Sequence, residues 1–325
     1  TLVEGLRDAL RQRGHEAEIV ALPFSWTPRP HIMRGALAWR LLDLERAGGQ
    51  PVDLVIATKF PSYAVRHPRK VVWLVHQHRQ AYDWYGTPLS DWGAQPGDAE
   101  ARKLLLRMDR RTLGEAHKLF AISRNVARRL RRHNGLAATP LYPPSHLQPL
   151  LHAGPFEPFV LSVARLDAAK RIDLLLRALA LDPGGLRAVI AGRGPELQRL
   201  QRLAAELRLG ERVTFAGYLP DDEVAELYSR CRAVFYAPVD EDYGFSTVEA
   251  FAAGKPVVTT KDAGGVLELV EDGVSGLVAD AEPAALAVQL RRVADEGTAR
   301  VLGAGNPERV AGISWDHAVR ELLGR

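Results

Sequence analysis

The 325-residue sequence predicts an α/β protein built from two Rossmann-like, doubly wound domains. Three observations predict it. Short β-branched runs alternate with helical patterns, the alternation forms two separate series, and a proline-dense stretch lies between them. In the first series, residues 17–22, 53–57, 70–75 and 118–122 read as strands. Residues 1–13, 33–47, 99–115 and 123–133 carry the apolar spacing of helices. The second series opens with the strand Phe159-Val-Leu-Ser-Val163 and continues with strands at 187–191, 212–216, 233–236 and 256–259. Helical patterns at 170–181, 195–208, 221–230 and 246–253 fill the intervals.

Pro140, Pro143, Pro144, Pro149, Pro155 and Pro158 mark the boundary, because no helix or central strand tolerates that density. The linker is placed at about residues 143–157, with domains at 1–148 and 158–313. A final helix in 314–325 is expected to pack back on the first domain. The chain opens on a helix, whereas a doubly wound domain ordinarily opens on a strand and its ligand-facing turn. The first strand and loop of that domain are therefore expected to lie outside the sequence.

Composition narrows the function classes. With 46% hydrophobic and 25% charged residues, the chain is neither disordered nor fibrous. No apolar run approaches the ~20 residues of a membrane span, and the opening Thr1–Leu10 is amphipathic rather than a signal peptide. A cytoplasmic location is expected. The lone Cys231 excludes an internal disulfide and a thiolate metal cluster, and is expected to be a small buried residue.

Charge is uneven: residues 1–150 carry a net +10 and residues 151–325 a net −6. Much of the excess lies between Arg102 and Arg132, including Arg107, Arg110, Arg111, Lys118, Arg124, Arg128, Arg129 and Arg131. Such a run suits a solvated helix face, an anionic acceptor, or peripheral contact with anionic lipid at the inner membrane face. It lacks zinc-finger spacing, a helix-turn-helix pattern and aromatic-studded strands, so nucleic acid is not expected as a partner.

The segment richest in chemistry is Glu241-Asp-Tyr-Gly-Phe-Ser-Thr-Val-Glu249. Gly244 permits a tight turn, and Ser246 or Thr247 is placed to cap a short helix whose free N–H groups suit an anion such as a diphosphate. The same letters also satisfy a capping box, Ser246-x-x-Glu249. Further candidates sit at strand ends, where open α/β sheets collect ligands. Arg165 and Lys170 follow strand 159–163, and cations at a helix start point to an anionic ligand. Gly192-Arg193-Gly194-Pro195 either lets a backbone approach a ligand or makes a structural turn. Gly217-Tyr218-Leu219 reads as a nucleobase wall or a plain turn. Asp262-Ala-Gly264-Gly265 offers flexible backbone near the same crevice. In the first half, His76-Gln77-His78-Arg79 ends strand 70–75, and Tyr82, Asp83 and Tyr85 are expected to face an interdomain cleft.

Taken together these motifs resemble the retaining glycosyltransferases of family 4, strongly from about 159 to 279 and weakly in the first half. The resemblance implies the GT-B fold, two Rossmann-like domains facing across a cleft, with an acceptor-side first domain and a nucleotide-sugar donor domain second. It implies that Arg165 and Lys170 hold the donor diphosphate, aided by backbone N–H groups around Ser246, Thr247 and Val248. Glu249 is implied to bond the ribose hydroxyls. Glu241 is implied to contact the transferred sugar, with His76 approaching from the other domain. Gly192, Gly194, Gly244 and Phe245 are implied to shape the donor-site backbone. No metal or other cofactor is implied.

The sequence departs from the family at Ala164 and Arg171, where glycine is frequent; Arg171 is left either to add a phosphate contact or to point to solvent. The reaction implied is transfer of a hexosyl unit to a carbohydrate, lipid-linked or small-molecule acceptor, with retention of configuration. Two alternatives keep the fold: a relative with altered chemistry, such as a nucleotide-sugar epimerase or pseudo-glycosyltransferase, and a non-catalytic nucleotide-binding or membrane-surface protein.

Overall fold

Parallel pairing organises both large sheets. The computed structural model describes residues 1–181 and 185–324, and the chain divides into two compact units: Thr1–Pro143 with Ser314–Arg325, and Pro144–Ile313.

In the first unit, helix α1 (Leu2–Arg11) starts at a capping box in which Thr1 and Glu4 satisfy each other's backbone donors. Helix α2 spans Pro30–Leu41, beginning at a proline whose missing N–H costs nothing in the first turn. It is shorter than the expected 33–47, because residues beyond Leu41 turn into a small hairpin of β1 (Arg46–Ala47) and β2 (Gln50–Pro51). Strands β3 (Val55–Ala57), β4 (Lys70–Leu74), β5 (Lys118–Ala121) and β6 (Thr139–Pro140) pair in parallel in that spatial order. Helices α3 (Asp98–Gly114) and α4 (Arg124–Asn134) precede and follow β5.

All five residues of β4 are buried, Lys70 among them. The Lys70 amine donates to Tyr63 O (2.9 Å), Val65 O (3.0 Å) and Thr112 O (2.8 Å), which replace its hydration. Residues 17–22 form no strand: Ile19 and Val20 are exposed, with no ladder beside them. The last helix, Trp315–Leu323, packs on α1. A Cβ at Gly5 would lie 2.5 Å from the Trp315 ring, and Arg13 pairs with Asp316.

The second unit holds a six-stranded parallel sheet. It contains β7 (Phe159–Val163), α5 (Ile172–Leu181), β8 (Arg187–Ala191), α6 (Leu197–Glu206), β9 (Val213–Gly217), α7 (Asp221–Arg230) and β10 (Ala233–Phe235). Then follow α8 (Phe245–Ala252), β11 (Val257–Thr260), β12 (Gly276–Ala279), α9 (Pro283–Ala294), α10 (Glu296–Gly303) and α11 (Asn306–Val310). The spatial order is β12-β11-β10-β7-β8-β9. The chain runs outward from β7 to β9, then returns to the other side of β7 with β10. The order therefore reverses between β7 and β10, and open α/β sheets collect their ligands beyond the carboxyl ends of strands at such a reversal. Cys231 is fully buried in this unit, and burial pushes its thiol up to about 12, so it packs as a small apolar group.

Candidate functional site

The loops leaving β7 and β10 are held by backbone contacts. Residues 237–244 are gripped from two sides: Val239 N–H donates to Ala169 O (2.8 Å), Asp240 N–H to Asp262 O (2.9 Å) and Glu241 N–H to Ala263 O (3.1 Å). Gly265 N–H returns a bond to Glu241 O (2.8 Å). Gly264 must be glycine for this clamp, because its φ is +63° and a Cβ there would sit 2.7 Å from Glu241 N.

Arg171 completes the brace and takes neither of the roles left open by the sequence. Its guanidinium donates to Ala237 O (2.7 Å), Pro238 O (2.9 Å) and Thr260 Oγ1 (2.8 Å), and forms two bonds to the Asp262 carboxylate (2.8 and 2.7 Å). These contacts hold a non-glycine residue at φ +51°.

On this frame Lys170 and Glu241 form an ion pair, both mostly buried, with the Lys170 amine also 3.3 Å from the Tyr236 hydroxyl. Arg165 lies exposed on the same post-β7 loop, 4.0 Å from Asp167. Glu241 is followed by Gly244, whose φ of +94° starts α8 directly at Phe245. Neither Ser246 nor Thr247 caps the helix, so the expected cap and capping box are corrected. Ser246 Oγ donates to Val163 O (2.8 Å), and Thr247 is buried within the first turn. Of the N–H groups expected to meet a ligand, that of Thr247 already bonds Gly244 O (3.0 Å), and Val248 is fully buried inside the helix. The opening N–H groups are therefore those of Phe245 and Ser246.

Glu249, 6% exposed, accepts a hydrogen bond from Ser145 Oγ (2.7 Å) on one oxygen and from Tyr228 OH (2.8 Å) on the other. Burial raises its carboxyl above the usual range, and the two hydroxyls work against that rise.

The glycines after β8 serve the protein's own backbone. A Cβ on Gly192 would lie 1.9 Å from Ala164 O, and one on Gly194 would lie 2.1 Å from Leu166 O. They let the post-β8 turn lie flat against the post-β7 loop that carries Arg165. Between them, Arg193 places its guanidinium 5.6 Å from the exposed Tyr218 ring, a cation–π pair beyond β9.

His76 is half-buried just beyond β4 in the first unit, with Nδ1 2.7 Å from Gln77 O. Of the residues that follow it, Tyr82 turns inward and is buried, donating to Asp109 Oδ2 (2.6 Å), and Asn134 Nδ2 donates to Tyr82 OH (3.0 Å). Gln77 Nε2 reaches Asn134 Oδ1 (2.9 Å), so a buried chain of bonds runs from α3 to the residue beside His76. Asp83 pairs with Arg79 and Arg129, and Arg102 sits 4.5 Å over the Tyr85 ring. His78 is stacked beneath Trp26 at 4.6 Å and beside Phe60 at 5.6 Å.

Burial pushes His78 down to about 4 and Asp109 up to about 7, with opposite effects on stability. The His78 value lies below the ordinary 6.5, so stability present above 6.5 is lost as pH falls towards 4. The Asp109 value lies above the ordinary 3.8, so its contribution is fully present below 3.8 and is lost as pH rises through 7. Between those limits the two offset each other. Asp109→Asn removes one of them, and its stability is expected to fall on acidification faster than wild type by about 1.4 kcal/mol per pH unit. Urea denaturation between pH 4.5 and 6.5 reads this; parallel curves for the two proteins would contradict the burial account.

The residues that the sequence reading missed are Ser145, Tyr228, Tyr236 and the bracing role of Arg171. Each acts through contacts between segments 21 to 104 residues apart, which no local pattern records.

Comparison with known proteins bears on both units. Residues 153–304 match the family described as Glycosyl transferases group 1. D-inositol 3-phosphate glycosyltransferase of Nocardia farcinica is 37% identical over 186 residues, covering 53% of this chain and 41% of that protein. D-inositol 3-phosphate glycosyltransferase 1 of Catenulispora acidiphila is 30% identical over 257 residues, covering 73% of this chain and 61% of that protein. The chain thus spans about half the length of the curated relatives it matches. Among solved structures, sucrose-phosphate synthase from Thermosynechococcus elongatus aligns with a TM-score of 0.76 at 23% identity, covering 99% of this chain and 90% of that one. Anabaena HepE, in complex with UDP and glucose, aligns with a TM-score of 0.71 at 20% identity, covering 98% and 88%. The chain therefore has the GT-B fold, and its second unit carries the segment that matches the Glycosyl transferases group 1 family.

Proposed function

We propose that this protein is a retaining glycosyltransferase, moving a hexosyl unit from a nucleoside diphosphate sugar to an acceptor hydroxyl. The observation that carries the reading is the Lys170–Glu241 pair, clamped on the loop that runs into α8 at the reversal of strand order. In this reading Lys170, Arg165 and the opening N–H groups of α8 stabilise the charge that grows on the departing diphosphate. Glu241 contacts the sugar and keeps Lys170 in place when the site is empty. The acceptor oxygen attacks C1 from the face the diphosphate leaves, and its proton passes to the departing phosphate oxygen. Configuration is retained without a protein nucleophile. The cationic side chains and the helix terminus supply the stabilisation that a metal ion gives elsewhere, so none is required.

The names of the relatives make D-inositol 3-phosphate the first acceptor to try. Incubation of UDP-, GDP- and ADP-hexoses with this acceptor in EDTA, followed by NMR of the product, tests the reading. An α-linked product from an α-linked donor is expected. Inverted product would remove the retaining mechanism, and a C2 epimer or free sugar alone would favour the altered-chemistry alternative.

Anionic lipid is proposed as a partner surface. On α3 the exposed Lys103, Arg107, Arg110 and Arg111 surround Leu104, which is 51% exposed. Arg124, Arg128, Arg131 and Arg132 form an exposed stripe along α4. Among the described residues no helix is long and apolar enough to cross a membrane, so attachment would be peripheral, at about 1 kcal/mol per basic residue near the surface. Co-sedimentation with phosphatidylglycerol vesicles but not phosphatidylcholine vesicles at physiological salt is the expected result. Equal recovery with both would eliminate this partner.

A further inference from the structure

Glu249 is buried between two hydroxyls that come from different segments. Ser145 lies just beyond Pro143, where the two compact units divide, and Tyr228 is in the last turns of α7. Both are buried, and each donates to a different oxygen of the same carboxylate (2.7 and 2.8 Å). The Ser145 rotor is fixed by a further contact: its Oγ accepts the Leu147 N–H (3.1 Å), so its single proton is left for Glu249.

A carboxylate offers about four acceptor positions, two on each oxygen. Ser145 and Tyr228 fill one on each, which sets the plane of the group and leaves one acceptor position per oxygen. Two acceptors on adjacent oxygens match the two donors of a vicinal diol.

Resting on the donor reading above, we infer that Ser145 and Tyr228 are positioning residues for nucleotide recognition, presenting Glu249 as a paired acceptor that selects a ribonucleotide over its 2′-deoxy counterpart. The hydroxyls also favour the ionised form of Glu249 against the effect of burial. Without them the group takes up a proton more readily and becomes a donor at one oxygen.

The test is isothermal titration of UDP, GDP and ADP and their 2′-deoxy forms, in EDTA, into wild type, Ser145→Ala, Ser145→Thr and Tyr228→Phe. Wild type is expected to favour the ribonucleotide about 10-fold or more, the scale of one hydrogen bond to a charged group. Ser145→Ala and Tyr228→Phe are expected to bring the ratio below about 3-fold and to move the acid limb of nucleotide affinity to higher pH, while Ser145→Thr keeps both. A merely structural role would lower stability and leave the ratio unchanged. Discrimination in wild type that persists in Ser145→Ala and Tyr228→Phe overturns the inference and leaves the donor reading standing. Wild type that binds none of the nucleotides removes both. If Ser145→Ala does not fold, Tyr228→Phe decides, since only the phenolic oxygen is lost.

Discussion

Lys170→Ala is expected to lower the rate of sugar transfer about 10²–10³-fold, the scale seen when one preorganised charge-stabilising group is removed. Lys170 is held by polar partners on the loop that follows β7. Its side chain is 19% exposed, and its amine is tied to the Glu241 carboxylate and the Tyr236 hydroxyl. The substitution therefore removes a positive charge without breaking a packing layer. The loss should appear in kcat as well as KM, because negative charge on the diphosphate grows as the sugar leaves. Lys170→Arg restores the charge but not the compact shape that fits beside Tyr236, so an intermediate rate is expected. Thermal unfolding of both variants close to that of wild type would confirm that the effect is chemical. Transfer within 3-fold of wild type in Lys170→Ala would remove Lys170 from the mechanism.

Gly192→Ala has the largest expected effect on stability. Its Cβ would lie 1.9 Å from Ala164 O, backbone that cannot rotate away, at a φ of +136°. Either the post-β7 loop moves, carrying Arg165 with it, or the post-β8 turn opens. A loss of about 3 kcal/mol or more is expected in urea denaturation of the second unit, because overpacking and backbone strain act together. Gly305→Ala is the matched control: φ is −94° and nothing lies within 4 Å of its added Cβ. It should change stability by no more than about 0.5 kcal/mol. Equal midpoints for the two variants would show that the close approach of the two loops is not maintained in solution.

The sequence made the parallel sheets legible because β-branched runs and helical spacing repeat with short connections. Strands 159–163 and 187–191 lie where the pattern put them. It misled at residues 17–22, where a short apolar run with Ile19 and Val20 has strand propensity but no neighbouring strand to complete a ladder. Propensity describes a residue, whereas a strand is a pair. The same distinction separates the legible parts of the site from the hidden ones. Gly244 and Gly264 announce positive φ, and the Glu241 and Glu249 spacing survives as a loop running into a helix. Ser246 and Thr247 looked like caps because Ser and Thr favour that position, yet Gly244 opens the helix first and Ser246 turns to Val163 O. Arg171 looked like a ligand contact or a solvated cation, because its four acceptor residues lie 66 to 91 positions away.

The measurement closest to the central claim is thermal unfolding of wild type and Glu249→Ala with UDP, GDP and ADP in EDTA. At 100 times its dissociation constant a ligand stabilises the folded state by about 2.7 kcal/mol. One nucleotide should stabilise wild type selectively, and Glu249→Ala should lose that gain relative to its own ligand-free form. Stabilisation of neither protein by any of the three would contradict a nucleotide-sugar site in the second unit.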